Sequence, residues 1–294
     1  ISSLNLAHLM PVSAVWAGPA RNAHLDGPPL VVTRTDGATP FRLVTHVGDV
    51  GHTLVAGPTG MGKSVLLATL ALQFRRYPGS RLFLFDMGRS LRATVLGLGG
   101  EHYDLGGDGD LAFQPLARID QDSYRTWAAE WLEGRVLHEG VAVGPNQKAA
   151  LWTALKSLAG APEAQRTLTG LCMLLQDNAL RQALQPYVLG GAHGRLLDAD
   201  TDRLGTADVQ CFEMEELMHS KTAVAAVLLY LFARFEARFD GAPTLLILDE
   251  AWLFLDDPLF AARIRQWLKT LRKKNVSVIF ATQSLADIQN SSIA

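Results

Sequence analysis

The chain has 294 residues, 48% of them hydrophobic and 19% charged, and Lys plus Arg (27) nearly balances Asp plus Glu (29) for a net charge of −2. That composition excludes a disordered chain and a globally basic nucleic-acid binder, so any nucleic-acid surface has to be local. The longest apolar run, residues 223–233, is too short to span a bilayer, and the length suits one large α/β domain or one domain with a sizeable insertion.

Residues 1–50 read as irregular and β structure, a β-rich lead-in. Asp26-Gly27-Pro28-Pro29 and Asp36-Gly37 are turn signals, and residues 30–33 and 41–45 are short strand candidates around the second turn. Such a hairpin would either pack beside a ligand site or extend an edge without touching it. Residues 53–56, Thr-Leu-Val-Ala, read as a buried strand, and residues 65–72 as a helix with no breaker before Pro78. Residues 81–86 form a strand pattern ending in Asp86; residues 90–98 read as a helix closed by Gly99-Gly100, and residues 101–105 as a further short strand. Strands alternating with helices imply βαβ units and a parallel sheet.

From residue 118 to about residue 194 strand signals vanish. Trp127, Trp131 and Leu132 share a helical face, as do Leu151, Leu155 and Leu158, with breaks at Gly144-Pro145, Gly160-Ala161-Pro162 and Gly190-Gly191. The pattern predicts an inserted all-helical subdomain whose tryptophans are core. The sheet resumes at residues 208–212, a long apolar helix follows over 222–239, and two more strands are expected over 244–250 and 276–283. The expected organisation is therefore a lead-in (1–50), an opening portion of the core (51–117), the helical insertion (118–200) and a closing portion of the core (201–294). Cys172 and Cys211 sit far apart in apolar contexts and read as reduced core thiols, and no segment reads as a signal peptide.

Between the first core strand and its helix lies Gly57-Pro58-Thr59-Gly60-Met61-Gly62-Lys63-Ser64, which fits the phosphate-loop pattern G-x-x-x-x-G-K-[ST]. A triphosphate needs many donors packed closely around it. The glycines let backbone N–H groups turn inward, and the helix that starts here adds its positive end, so Gly57 to Val65 is the expected nucleotide-binding segment. Lys63 is expected to meet the β- and γ-phosphates, and the Ser64 hydroxyl to ligate Mg²⁺. Leu245-Leu246-Ile247-Leu248-Asp249-Glu250 is the expected partner strand: Asp249 would hold Mg²⁺ and Glu250 would polarise the attacking water. Gln283 ends the last strand, where an amide can reach a γ-phosphate or the water. The helix over about residues 258–274 carries an apolar stripe (Phe260, Ile264, Leu268, Leu271) and a basic one (Arg265, Lys269, Arg272, Lys273). The basic stripe is open to three readings: a solvated face, a source of an arginine finger in Arg272 for a neighbouring subunit, or a strip of phosphate contacts on DNA.

Residues 57–64, 245–252 and 268–287 resemble the large conjugation and type IV secretion ATPases. Asn5-Leu6-Ala7-His8-Leu9, Pro40-Phe41-Arg42, the run from Arg166 to Leu171 and the run from Gln182 to Pro186 extend the likeness over nearly the whole chain, toward that family's conjugal-transfer branch. The resemblance implies a RecA-like P-loop NTPase with an inserted helical region, bound to ATP and Mg²⁺. It implies hexamers at the cytoplasmic base of a membrane-spanning secretion channel, peripheral to the inner membrane, with ATP turnover supporting pilus assembly and substrate transfer. A DNA-translocating relative of the coupling-protein type, and a nucleotide-gated structural subunit with little turnover, remain alternatives. Relatives often carry Asp-Lys where this chain has Asp86-Met87, so no lysine role carries over and Asp86 stays a candidate by itself. The family's larger amino-terminal domain does not appear, and the chain opens on Ile1 and closes just past Gln283, so a fragment is expected.

Overall fold

The computed structural model describes residues 2–3, 5–6, 16–106, 109–250 and 258–283. Phe260 of the expected apolar stripe, and Ala251-Trp252, Ser284 to Asp287 and some of the segment from Asn5 to Leu9 from the quoted resemblances, lie outside what is described of backbone or side chain.

The lead-in forms a separate antiparallel hairpin, β1 (Val31–Arg34) and β2 (Pro40–Leu43), in which Val31 faces Leu43 and Arg34 faces Pro40. Then come β3 (Thr53–Ala56), α1 (Lys63–Phe74), β4 (Arg81–Asp86), α2 (Arg92–Gly97) and β5 (Glu101–Asp104). Helices α3 (Asp122–His138), α4 (Pro145–Ala159), α5 (Leu168–Leu174), α6 (Asn178–Leu184) and α7 (Gly194–Leu197) follow. The chain then returns through β6 (Val209–Glu213), α8 (Lys221–Glu236), β7 (Thr244–Leu248), α9 (Pro258–Leu271) and β8 (Val276–Thr282). Strands β3 to β8 make one six-stranded sheet in the order β3-β8-β7-β4-β6-β5, with every pairing parallel.

Parallel strands need crossovers, and the crossover helices cover both faces of the sheet. The central strands β4, β6 and β7 show it, with both alternate sets of side chains buried, whereas β3, expected to be a buried strand, is an edge strand that exposes Leu54. Leu82, Leu84, Cys211, Leu245 and Ile247 face one core with Leu67, Leu70 and Phe74 of α1. Phe83, Phe85, Phe212, Leu246 and Leu248 face the other, which is continuous through α8 and α9 into Trp131, Leu132, Leu151 and Leu155 of α3 and α4. Trp131 is buried and its indole N–H donates to the Ala226 carbonyl of α8 at 3.1 Å, a core role as its spacing predicts, while Trp127 is half-buried and Trp152, against that expectation, is exposed. Both thiols are free, Cys211 buried and Cys172 half-buried.

The basic face of α9 and its short 3₁₀ extension is solvated: Arg265, Lys269, Arg272 and Lys273 are exposed, while Ala261, Ile264, Trp267 and Leu271 are buried. The apolar stripe thus centres on Trp267, with Leu268 at its margin.

Candidate nucleotide site

The sheet order decides what meets at its carboxyl edge. β8 lies between β3 and β7, so the ends of these three strands stand side by side. β3 leads into the phosphate loop, β7 into Asp249 and Glu250, and β8 into Gln283. The loop is fastened to its neighbour where it begins: the Gly57 N–H donates to the Thr282 carbonyl at 3.1 Å. Gly60 and Gly62 adopt left-handed φ of 84° and 80°, which a side chain would strain, and Gly62 caps α1 in that conformation. Gly57 has no such requirement and lies at the loop's foot.

These strand ends enclose a cleft of about 600 Å³. Pro58, Thr59, Gly60, Gly62, Lys63, Ser64 and Val65 line one side, and Asp249, Glu250 and Gln283 line another. Gly57 and Met61 of the expected segment do not line it; the Met61 side chain is exposed. Arg272 lies elsewhere, 3.9 Å from Asp49.

Inside the cleft Lys63 Nζ donates to Glu250 Oε1 at 2.8 Å and stands 3.9 Å from Asp249 Oδ1. Gln283 Nε2 donates to the same Glu250 oxygen at 3.0 Å, while Gln283 Oε1 accepts from the Thr59 hydroxyl at 3.0 Å. Burial pushes the Asp249 carboxyl above its ordinary range, against the pull of Lys63, and the neighbouring Glu250 charge pushes the same way. Glu250 itself sits at φ 51°, an uncommon backbone for a residue with a side chain. A hydroxyl (Ser64) and a buried carboxylate (Asp249) in one cleft are the donor set of a hard divalent cation that keeps waters and phosphate oxygens as its other ligands.

Asp86 is completely buried and turned into the structure. Its oxygens accept from the Ser90 hydroxyl (2.6 Å) and the Leu91 N–H (2.7 Å) at the start of α2. Burial pushes its carboxyl up to about 6 against those hydrogen bonds, and Glu213 and Asp249 push it further the same way.

Three lining residues escape a reading of the sequence: Met87, Gly88 and Glu215. They arrive because β4 and β6 stand next to β7. Buried Glu213, at the end of β6, gathers them by accepting from the Gly88 N–H (3.1 Å) and the Glu215 N–H (3.0 Å). The only signal is Met87 beside Asp86, where relatives often carry lysine. A second open cleft, of about 630 Å³ at the β5 edge, holds Arg89, Arg92 and Arg203. Asp104 engages Arg89 at 2.8 Å, and among the described residues that cleft has no lysine facing paired acids.

A parallel sheet with a phosphate loop after its edge strand, and paired acids on a strand two places away, defines a RecA-like P-loop domain. Comparison with solved structures agrees on the fold. VirB4 of Thermoanaerobacter pseudethanolicus superposes with a TM-score of 0.71 at 22% identity, covering 92% of this chain and 80% of that one. The plasmid coupling protein TrwB, solved with a non-hydrolysable ATP analogue, superposes with a TM-score of 0.50 at 16% identity over 100% of this chain and 73% of that one. A family model described as the TraG P-loop domain matches residues 175–294.

Sequence places the chain more narrowly. It is 44% identical over 302 residues to a probable conjugal transfer protein TrbE of Sinorhizobium fredii, covering 100% of this chain and 45% of that protein. It is 45% identical over 305 residues to conjugal transfer protein TrbE of Rhizobium radiobacter (100% and 37%), and 30% identical over 301 residues to type IV secretion system protein virB4 of Bartonella quintana (100% and 38%). Over its full length the chain is similar to conjugal transfer proteins of the TrbE and VirB4 kind. It spans less than half the length of these curated relatives. Among the described residues no helix is long and apolar enough to cross a membrane.

Proposed function

We propose that this chain is the motor domain of a conjugative type IV secretion system, hydrolysing ATP with Mg²⁺ to energise pilus assembly, substrate transfer or both. The observation that carries the reading is the convergence of Lys63, Asp249, Glu250 and Gln283 from three adjacent strand ends on one cleft.

In this reading the loop N–H groups and Lys63 hold the phosphates, and Lys63 exchanges Glu250 for the γ-phosphate. Ser64 and Asp249 would hold Mg²⁺, which would offset negative charge on the phosphates. Glu250 orients a water and accepts its proton as the water oxygen bonds to the γ-phosphorus and the bond to the ADP oxygen breaks. Gln283 donates to the γ-phosphate or the water. Lys63 is the one cation among the described residues lining the cleft, and it faces three acids there, Glu215, Asp249 and Glu250. A triphosphate therefore gains from a further cation brought by a neighbouring subunit, the role assigned to Arg272 in a hexamer at the cytoplasmic face of the inner membrane.

The test is phosphate release from ATP against protein concentration, with and without single- and double-stranded DNA. Turnover rising steeply with concentration and indifferent to DNA supports the secretion motor. Glu250→Gln is expected to keep nucleotide binding and lower turnover by at least about a hundredfold; near-normal hydrolysis in that variant sinks the assignment. The exposed row Arg265, Lys269, Arg272 and Lys273 favours one second reading, a DNA-stimulated translocase. DNA stimulation abolished by neutralising Arg265 and Lys269 would establish it.

A further inference from the structure

Gln283 bridges two sides of the cleft, and charge sets which way round its amide sits. Its oxygen accepts from the Thr59 hydroxyl and its nitrogen donates to Glu250 Oε1, both at 3.0 Å. A side-chain amide can be turned over, exchanging its two ends. Turned over here, its oxygen would face a carboxylate oxygen that already accepts from Lys63 at 2.8 Å. That contact is repulsive, whereas the observed one is a charge-assisted hydrogen bond.

At its other end the amide is held by Thr59. Gln283 is exposed, and water would serve either orientation equally. Like water, the Thr59 hydroxyl can donate or accept, so Glu250 sets the orientation and Thr59 fixes where the far end of the amide lies. Thr59 belongs to the phosphate loop, and the same loop is tied to the end of β8 through the Gly57 N–H and the Thr282 carbonyl. Two contacts therefore make the loop and the end of β8 a single mechanical unit, and one of them reaches the carboxylate of Glu250.

We propose that Thr59 is a positioning residue for hydrolysis: through the Gln283 amide its hydroxyl sets the Glu250 carboxylate relative to the phosphate loop. A loop that closes around a triphosphate then carries Gln283 with it, so that the proton acceptor is placed by the loop that reads the phosphates. This rests on the reading of Glu250 as that acceptor.

Four single variants and one double variant test it in the chain as it stands. Thr59→Val keeps the shape and loses the hydroxyl; kcat for ATP is expected to fall about three- to tenfold, with KM changed by less than about twofold. Thr59→Ser, which restores the hydroxyl, restores kcat. Because Thr59 acts through Gln283, Thr59→Val is expected to add nothing to Gln283→Ala. A Thr59→Val chain with wild-type kcat, one altered in KM alone, or effects that multiply in the double variant overturns the proposal. Glu250→Gln separates the two levels. If that variant is inactive and Thr59→Val is normal, only the positioning role falls. If Glu250→Gln hydrolyses normally, or the wild-type chain does not turn over, the hydrolase reading falls and takes this inference with it.

Discussion

Glu250 occupies a left-handed backbone conformation at the end of β7, with φ 51°. Its side chain meets Lys63 and Gln283, and its N–H donates to Asp249 Oδ1 at 3.1 Å. For an L-residue this conformation costs about 1–2 kcal/mol, and glycine escapes the cost. The position therefore carries a conflict between chain geometry and chemistry. Glu250→Ala and Glu250→Gly both remove the carboxylate, so their difference isolates the backbone. The glycine variant is expected to be more stable than the alanine variant by about 1 kcal/mol, net of glycine's greater freedom in the unfolded chain. Urea unfolding of the two variants measures this, and an alanine variant as stable as the glycine one would mean that the strain is relaxed once the side chain is gone. The sequence shows the acid pair, since an apolar run ending in Asp-Glu is legible. It does not show the left-handed φ, which no residue type at 250 announces. Asn275 is the opposite case: its φ of 59° suits asparagine, and it closes the turn into β8 while its amide donates to the Gly241 carbonyl at 3.0 Å.

At the scale of elements, α9 shows where periodicity informs and where it stops. Its two faces are legible as an apolar and a basic stripe. The stripe drawn through Ile264, Leu268 and Leu271 misses its largest buried member, Trp267. That residue is 3% exposed, stacks edge-on to Phe232 at 4.4 Å, and donates from its indole N–H to Glu236 at 3.3 Å. The reason is geometric: which side of a helix goes deepest depends on what it packs against, and α8 and the turn after it supply an aromatic pocket of Phe232 and Phe239. Trp267→Ala is expected to cost about 3–5 kcal/mol of stability. Arg265→Ala with Lys269→Ala, both exposed, is expected to change it by less than about 1 kcal/mol. Denaturant unfolding of the two variants reads the contrast directly. The same limit explains the cleft. Gly57 to Ser64 is legible because phosphate binding fixes residue types at fixed spacing. Met87, Gly88 and Glu215 are not, because they join the site only through the placement of β4 and β6, which is a property of strand order.

At the scale of the whole molecule, the question is how the lead-in is held to the sheet. None of its described residues lines the nucleotide cleft, and its hairpin is a separate two-stranded sheet, so it neither lines the site nor extends an edge of the main sheet. The join is part apolar, with Leu25 and Leu30 buried against Phe74 and Tyr77 at the end of α1, and part polar, at the amino end of β8. Asn22 is buried, and its Oδ1 accepts from the His24 and Leu25 N–H groups at 3.1 Å each. Its amide nitrogen is left to face His46 Nδ1 at 3.2 Å, so Nδ1 must accept. Nε2 then carries the hydrogen and donates to the Ser277 hydroxyl of β8 at 3.1 Å. Gly51 lets these groups approach: a Cβ there would stand 2.2 Å from Ser277 Oγ and 2.5 Å from His46 Nε2. Protonating Nδ1 would set N–H against N–H. Burial first, then the His24 and His52 charges, lowers the His46 pKa to about 4. The unfolded imidazole takes its proton near the ordinary 6.5 while the folded one refuses it until about 4. The stabilisation is therefore complete above pH 6.5 and drains away as the pH falls toward 4, by about 2 kcal/mol after allowing for solvent on the ring's open side. Asp86, raised to about 6, works in the other direction, its contribution fading as the pH rises through that value, so the slope of the wild-type chain mixes the two. The comparison that isolates His46 is with His46→Gln, which keeps a polar side chain and cannot titrate. Unfolding free energies at pH 7.5 and 4.5 are expected to fall more in the wild type than in the variant by about 2 kcal/mol. Parallel losses in both chains would show that the neutral ring of His46 adds nothing to the hold on the lead-in.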